Sequence, residues 1–175
     1  MASVVRERQK ALRALYKEDP ARAKKRYVVR SAPGDLGDAF GTTVRSETAR
    51  TAWRIEADHK VGGPGEAPSP GDFFLAALAG CQDITFRMVA SSMGVTLTAL
   101  EVEVVGDVDV RGALMIAGEV PIGFAAVRCE TRFAVAPDTP RHKVELLVQA
   151  AENLCAVGAT IRSGLRPELV FTERT

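Results

Sequence analysis

Ligands for a metal centre are scarce in this sequence. It has two histidines and three cysteines. The cysteines stand far apart at positions 81, 129 and 155, and no Cys-x-x-Cys pair occurs. Structural zinc sites draw on about four such residues at close spacing, so no metal is expected. Surplus charge is missing as well. The 23 basic and 22 acidic side chains leave a formal net charge of +1. Nothing in that balance attracts nucleic acid or an anionic membrane. The first residues, Met1-Ala2-Ser3-Val4-Val5-Arg6-Glu7-Arg8, lead into no apolar segment of the signal-peptide kind. The longest nearly apolar run, Phe73 to Cys81, is far too short to span a bilayer. A soluble, cytoplasmic protein is expected. In a reducing compartment an isolated cysteine is either core filler or chemistry.

What is present suits one globular unit. The 175 residues are 46% hydrophobic, enough to bury a sizeable core. Val5, Leu12, Leu15 and Tyr16 have helical spacing within an N-terminal extension, residues 1–26, and Glu18-Asp19-Pro20 should end that helix. The main domain is taken as residues 27–175. Tyr27 to Val29 and Thr42 to Val44 predict two strands around a turn-rich stretch, Pro33 to Asp38. Thr51 to Ala57 alternates, with Trp53 and Ile55 on one face, read as core, and Arg54 and Glu56 on the other.

After a Gly/Pro-rich loop, Ser69-Pro70-Gly71-Asp72 carries the elements of a capping box with proline at the first helical position. The helix should run to Met93 and stop at Gly94. Its first half, Phe73 to Cys81, is apolar all round and so is expected to be buried on every side. Leu100, Val102, Val104, Val108 and Val110 alternate with charged residues, which predicts one long strand. Val127, Cys129, Thr131, Phe133 and Val135 predict the inner face of another. Thr139-Pro140 should cap a second helix with Val144, Leu147, Val148, Ala151 and Cys155 on its apolar stripe. Residues Gly158 to Gly164 form a connector or short helical turn, and Leu169 to Phe171 a last strand. The order argues an α+β fold, antiparallel sheet wrapped around a buried central helix.

Cys81 is the first candidate for chemistry. A reactive thiol must ionise, and apolar burial opposes that. Cys81 lies about three turns from the helix start, beyond the strong end of the dipole. Arg87 sits about 240° further round the helix and faces elsewhere. An activating cation must come from another segment: the hairpin, the His59-Lys60 loop or a second subunit. Cys155, on the stripe facing the same core, would meet Cys81 if their Cα atoms came within about 7 Å. Both cysteines also fit plain core packing. Cys129 reads as structural, His59 and His142 as solvated, Asp72 as a cap.

The segment Pro68 to Cys81 resembles the start of the central helix in the OsmC/Ohr family, the organic hydroperoxide resistance proteins and their osmotically inducible relatives. Ala151 to Ile161 is similar to that family's second cysteine motif, and Val110 to Phe124 looks like its linker before the penultimate strand. The likeness covers roughly residues 27–173. It implies an intertwined homodimer with sites at the subunit interface. It further implies that Cys81 is the peroxidatic thiolate, attacking small organic hydroperoxides, and that Cys155 resolves it. A lipoyl-type dithiol or another thiol would be the reductant, and no bound cofactor is needed. Two positions depart from the family pattern. Gly71 stands where a Glu usually orients the activating Arg, with Asp72 beside it, and Ala156 stands where Pro usually follows the second Cys. His59 and Asp72 are therefore secondary site candidates. An alternative is a non-enzymatic dimer of this family that holds a small apolar or thiol-reactive ligand. A further one is a partner-binding protein that uses its N-terminal helix.

Overall fold

Ser69 starts the central helix as its sequence predicts. In a computed structural model, which describes residues 3–32 and 34–173, the Ser69 side chain accepts the Asp72 N–H at 3.2 Å. The Asp72 carboxylate accepts the Ser69 N–H at 2.8 Å. With Pro70 in the first turn, helix α2 runs Pro70–Met93 and closes on Gly94 at φ 67°, a left-handed conformation that glycine adopts without strain.

Around α2 lie α1 (Val4–Glu18), a meander of β1 (Val29–Ala32), β2 (Gly41–Ser46) and β3 (Thr51–Glu56), a hairpin of β4 (Leu97–Asp107) and β5 (Ala126–Val135), the one-turn α3 (Val110–Ala113), α4 (Arg141–Leu154) and α5 (Ala156–Arg162). Both sheets are antiparallel, three strands in the order β1-β2-β3 and two as β4-β5. The α+β architecture, sheet against a central helix, is the one expected. Pro33, at the start of the predicted turn, lies outside the described residues.

The core forms where α2, α4 and the β4-β5 hairpin meet. Phe86 and Ala90 of α2 pack with Leu147 and Ala151 of α4, and Val95 closes the cluster. The Phe86 ring lies 4.7 Å from that of Phe133 on β5. Pairing Glu101 with Arg132 and Val104 with Cys129 puts charges on the outer face, where Arg132 binds Glu103 at 2.9 Å and Glu130 at 3.2 Å. Alternation in a half-buried strand requires this separation. Helix α1 leans on α2, with Ser3 Oγ 3.0 Å from Ser91 Oγ.

Several expectations are corrected. The first half of α2 is not enclosed: Leu78 is the only buried residue before Cys81, and Phe74 is 39% exposed. One chain does not supply neighbours on every side of a helix that is apolar all round. Phe124 covers part of it, stacking 5.5 Å from Phe74. By length and hydropathy α2 meets the test for a membrane span, yet here it is the helix on which the fold is built. Strand β4 ends at Asp107, before Val108 and Val110. Asp109 accepts the Arg111 N–H at 3.0 Å and caps α3 instead. Such local bonding competes with a sheet ladder. Pro140, not Thr139, occupies the cap position of α4, without a side-chain bond. Val148 on the α4 stripe is exposed. Leu169 to Phe171 are exposed and form no strand, since no sheet edge among the described residues pairs with them.

Trp53 and Glu56 exchange the places their alternation suggests. Trp53 is 38% exposed and meets Phe73 edge-on at 6.0 Å. Glu56 is buried. Its carboxylate accepts the N–H groups of Glu66 and Ala67, each at 3.1 Å, and the Nε–H of Arg54 at 3.2 Å. Three donors compensate the desolvation of this charge.

Candidate active site

Cys81 and Cys155 come together at the start of α5. Cys155 has extended backbone, φ −69° and ψ 101°, between α4 and α5. The two helices meet there at 64°. This bend turns the free N–H groups at the start of α5 toward α2. Those groups have no partner inside their own helix, and the sulfurs take them up. Cys81 Sγ accepts the Val157 N–H at 3.5 Å and is also within reach of the Ala156 N–H and the Thr85 hydroxyl. Cys155 Sγ accepts the Gly158 N–H at 3.4 Å, so a thiol caps α5. The two thiols are near enough to shift each other's ionisation.

Their environments push the two groups apart. Burial alone would raise the Cys81 pKa, but the Val157 amide, the Cys155 thiol, the Thr85 hydroxyl and the Ala156 amide together bring it below the ordinary thiol value. At Cys155, only 1% exposed, burial outweighs the Gly158 amide and holds the pKa above the ordinary value, and Cys81 adds to the rise. The result is one thiol disposed to ionise beside one that keeps its proton. A thiolate attacks; a neighbouring protonated thiol can afterwards close a disulfide with the oxidised sulfur.

Among the described residues of this chain no cation lowers the Cys81 pKa; hydrogen bonds do so. Arg87 pairs with Asp83, away from the thiols. Arg54 is engaged by Asp38 at 2.6 Å and by Glu56. His59 is exposed beside Asp58, its Nδ1 at 3.4 Å from the carboxylate. Asp72 serves the α2 cap. Neither is brought to the cysteines, and His142 opens α4.

Residues not singled out in the sequence complete the site. A cavity of about 300 Å³ opens beside Cys155, between α2, β5 and α5. Gln82, Cys129, Glu152 and Arg162 contribute to its wall. Gly158 makes the close approach possible: a Cβ there would lie 3.2 Å from Cys155 Sγ and 3.3 Å from Arg162 Nη1. Thr85 was legible as the residue one turn after Cys81, and Arg162 as the residue one turn after Gly158. Cys129 is on the predicted inner face of β5, but the cavity leaves it exposed rather than packed. Among the described residues no group of three or more His, Cys, Asp or Glu side chains is placed to hold a metal ion.

Comparison with known proteins agrees with this architecture. The sequence profile of the family described as OsmC-like protein matches residues 63–170. An OsmC-like protein from Mycoplasma pneumoniae has a similar structure, with a TM-score of 0.60 at 13% identity over 79% of this chain and 89% of that one. An organic hydroperoxide resistance protein from Legionella pneumophila gives a TM-score of 0.56 at 18% identity, covering 79% and 90%. One from Elizabethkingia anophelis, with thiocyanate bound, gives 0.53 at 16% identity, covering 78% and 89%. No curated protein matches the sequence significantly.

Proposed function

The chain belongs to the OsmC-like family, and from that premise we propose that it reduces small organic hydroperoxides with Cys81 as the attacking thiolate and Cys155 as the resolving thiol. The observation that supports this most is the amide-cradled Cys81 sulfur with the Cys155 thiol in reach. The Cys81 thiolate attacks the distal oxygen of ROOH. The O–O bond breaks, the alkoxide takes a proton and leaves as ROH, and Cys81 becomes a sulfenic acid. The Cys155 sulfur then attacks Cys81 Sγ, forming the S–S bond and releasing water. An external dithiol, of lipoyl type or another cellular thiol, returns two electrons and two protons. No bound cofactor takes part in this sequence. The reading extends to a cytoplasmic homodimer. The open side of α2, with Phe74 at 39%, Ile84 at 53% and Met88 at 39% exposure, is apolar surface of the kind a second copy covers.

Replacing Cys81 with Ser should abolish thiol-dependent hydroperoxide consumption in a protein that remains folded; full activity would sink the reading. A binding role without turnover draws on one observation. Phe124 Cζ lies 3.4 Å from where a Cβ would sit at Gly71, so a ring occupies the space beside the position of the family's usual Glu. That role predicts an inert Cys81 thiol and negligible turnover.

A further inference from the structure

Three sulfurs, not two, converge on this site. Cys129 lies on the inner face of β5 opposite Val104. One pleat further along, Thr131 takes a hydrogen bond from Gln82 Nε2 at 3.5 Å, which holds this part of β5 against the turn of α2 that carries Cys81. Cys129 and Cys155 share the wall of the 300 Å³ cavity. A charge on Cys129 is felt at Cys155. The three differ in accessibility: Cys129 is exposed, Cys81 half-buried and Cys155 buried. A disulfide between Cys81 and Cys155 would therefore present little sulfur to a reductant in solution.

We propose that Cys129 is a third redox thiol, which takes the disulfide over from Cys81 and presents it to the external thiol reductant through the cavity beside Cys155. The proposal rests on the peroxidase reading. Its step is an exchange with no net oxidation. The Cys129 thiolate, its proton lost to solvent, attacks Cys155 Sγ. The Cys129–Cys155 bond forms, the Cys81–Cys155 bond breaks, and the electron pair leaves on Cys81 as thiolate, ready for the next hydroperoxide. A dithiol then reduces the Cys129–Cys155 bond, giving two electrons and two protons and closing to its own disulfide. The direction follows from leaving-group chemistry. The sulfur that ionises most easily departs fastest. Cys81 is that sulfur, while partial desolvation at the cavity wall raises Cys129 and burial raises Cys155 above the ordinary thiol value. Bonding needs the two sulfurs to close to about 2 Å, and both line the one cavity.

The test is a map of disulfides. Reduced full-length protein receives one equivalent of cumene hydroperoxide, is quenched in acid, blocked with N-ethylmaleimide and analysed by peptide mass spectrometry. The wild type should yield the Cys129–Cys155 linkage with Cys81 blocked, and Cys129→Ser only the Cys81–Cys155 linkage. Cys81→Ser treated with diamide should form Cys129–Cys155 directly, a result that does not depend on peroxidase activity. A wild-type Cys81–Cys155 linkage with Cys129 fully blocked, or no Cys129–Cys155 linkage in Cys81→Ser, overturns the relay and leaves the peroxidase reading standing. Hydroperoxide that leaves all three wild-type thiols reduced, in protein whose thiols diamide still oxidises, overturns the peroxidase reading and the relay with it.

Discussion

Ala156→Pro separates the chemistry of Cys81 from the stability of the helix that cradles it. Ala156 is exposed and is the first residue of α5. Its N–H has no partner in the helix and is directed at Cys81. Proline is favoured at a first helical position, where the missing N–H costs no helical bond. The preceding residue must be extended, and Cys155, at φ −69° and ψ 101°, already is. The substitution should therefore stabilise the protein by about 0.4–1 kcal/mol through the unfolded chain, which for a chain of this size raises Tm by about 1–4 °C. At the thiol the effect is opposite. An amide donor favours the thiolate, so losing one moves the Cys81 pKa upward. The Ala156 amide is the weakest of the donors acting on this sulfur and the Val157 bond stays, so the thiolate population falls at any pH below the midpoint by at most about fivefold, the figure for a full bond of about 1 kcal/mol. Above the midpoint the two proteins converge. The assay is the rate of alkylation against pH, read in a background of Cys129→Ser and Cys155→Ser, where Cys81 is the one thiol left and serine keeps an oxygen acceptor at the α5 cap. A profile that stays put or moves to lower pH refutes the amide cradle, and a lowered Tm refutes the reading of the bend at Cys155.

Other consequences are more local. Leu147→Ala empties a fully buried site, 0% exposed, and should cost about 2–5 kcal/mol, measured by urea unfolding. Glu56→Ala leaves the Glu66 and Ala67 amides without their acceptor. It should cost about 1–3 kcal/mol and speed hydrogen exchange at those two amides; unchanged exchange there counts against the buried carboxylate. Asp72 is held below the usual carboxylate pKa by the Ser69 hydroxyl and then by the Ser69 amide. Its contribution is thus complete above the unfolded carboxylate pKa and lost as pH falls through the depressed folded value. Asp72→Asn should make the urea midpoint less sensitive to acid and leave Cys81 alkylation unchanged. A slowed alkylation would return Asp72 to the site.

Local chemistry was enough to read many of the elements. The cap at Ser69, the proline after it and Gly94 mark the ends of α2 within a few residues of each signal, because hydrogen bonds across three or four residues decide them. The face pattern of β5 is equally readable, since side chains alternate regardless of what the strand meets. Local rules misled where a partner had to be supplied. Val108 and Val110 continue a strand pattern, but Asp109 satisfies its neighbours and ends the ladder. Leu169 to Phe171 has strand-like residues but pairs with no strand among the described residues.

The sequence by itself determined which thiols to consider, where they lie along their helices, and that the central helix is apolar. Whether the thiols meet was decided by tertiary structure. Cys81 and Cys155 are on different helices, and no local signal encodes their distance. The bend at Cys155 aims the amides of α5, the packing of α4 on α2 brings them to Cys81, and Gly158 leaves them room. A thiol pKa depends on the donors and the burial around the sulfur. Those belong to residues far apart along the chain, so only the folded arrangement sets Cys81 below the ordinary value and Cys155 above it.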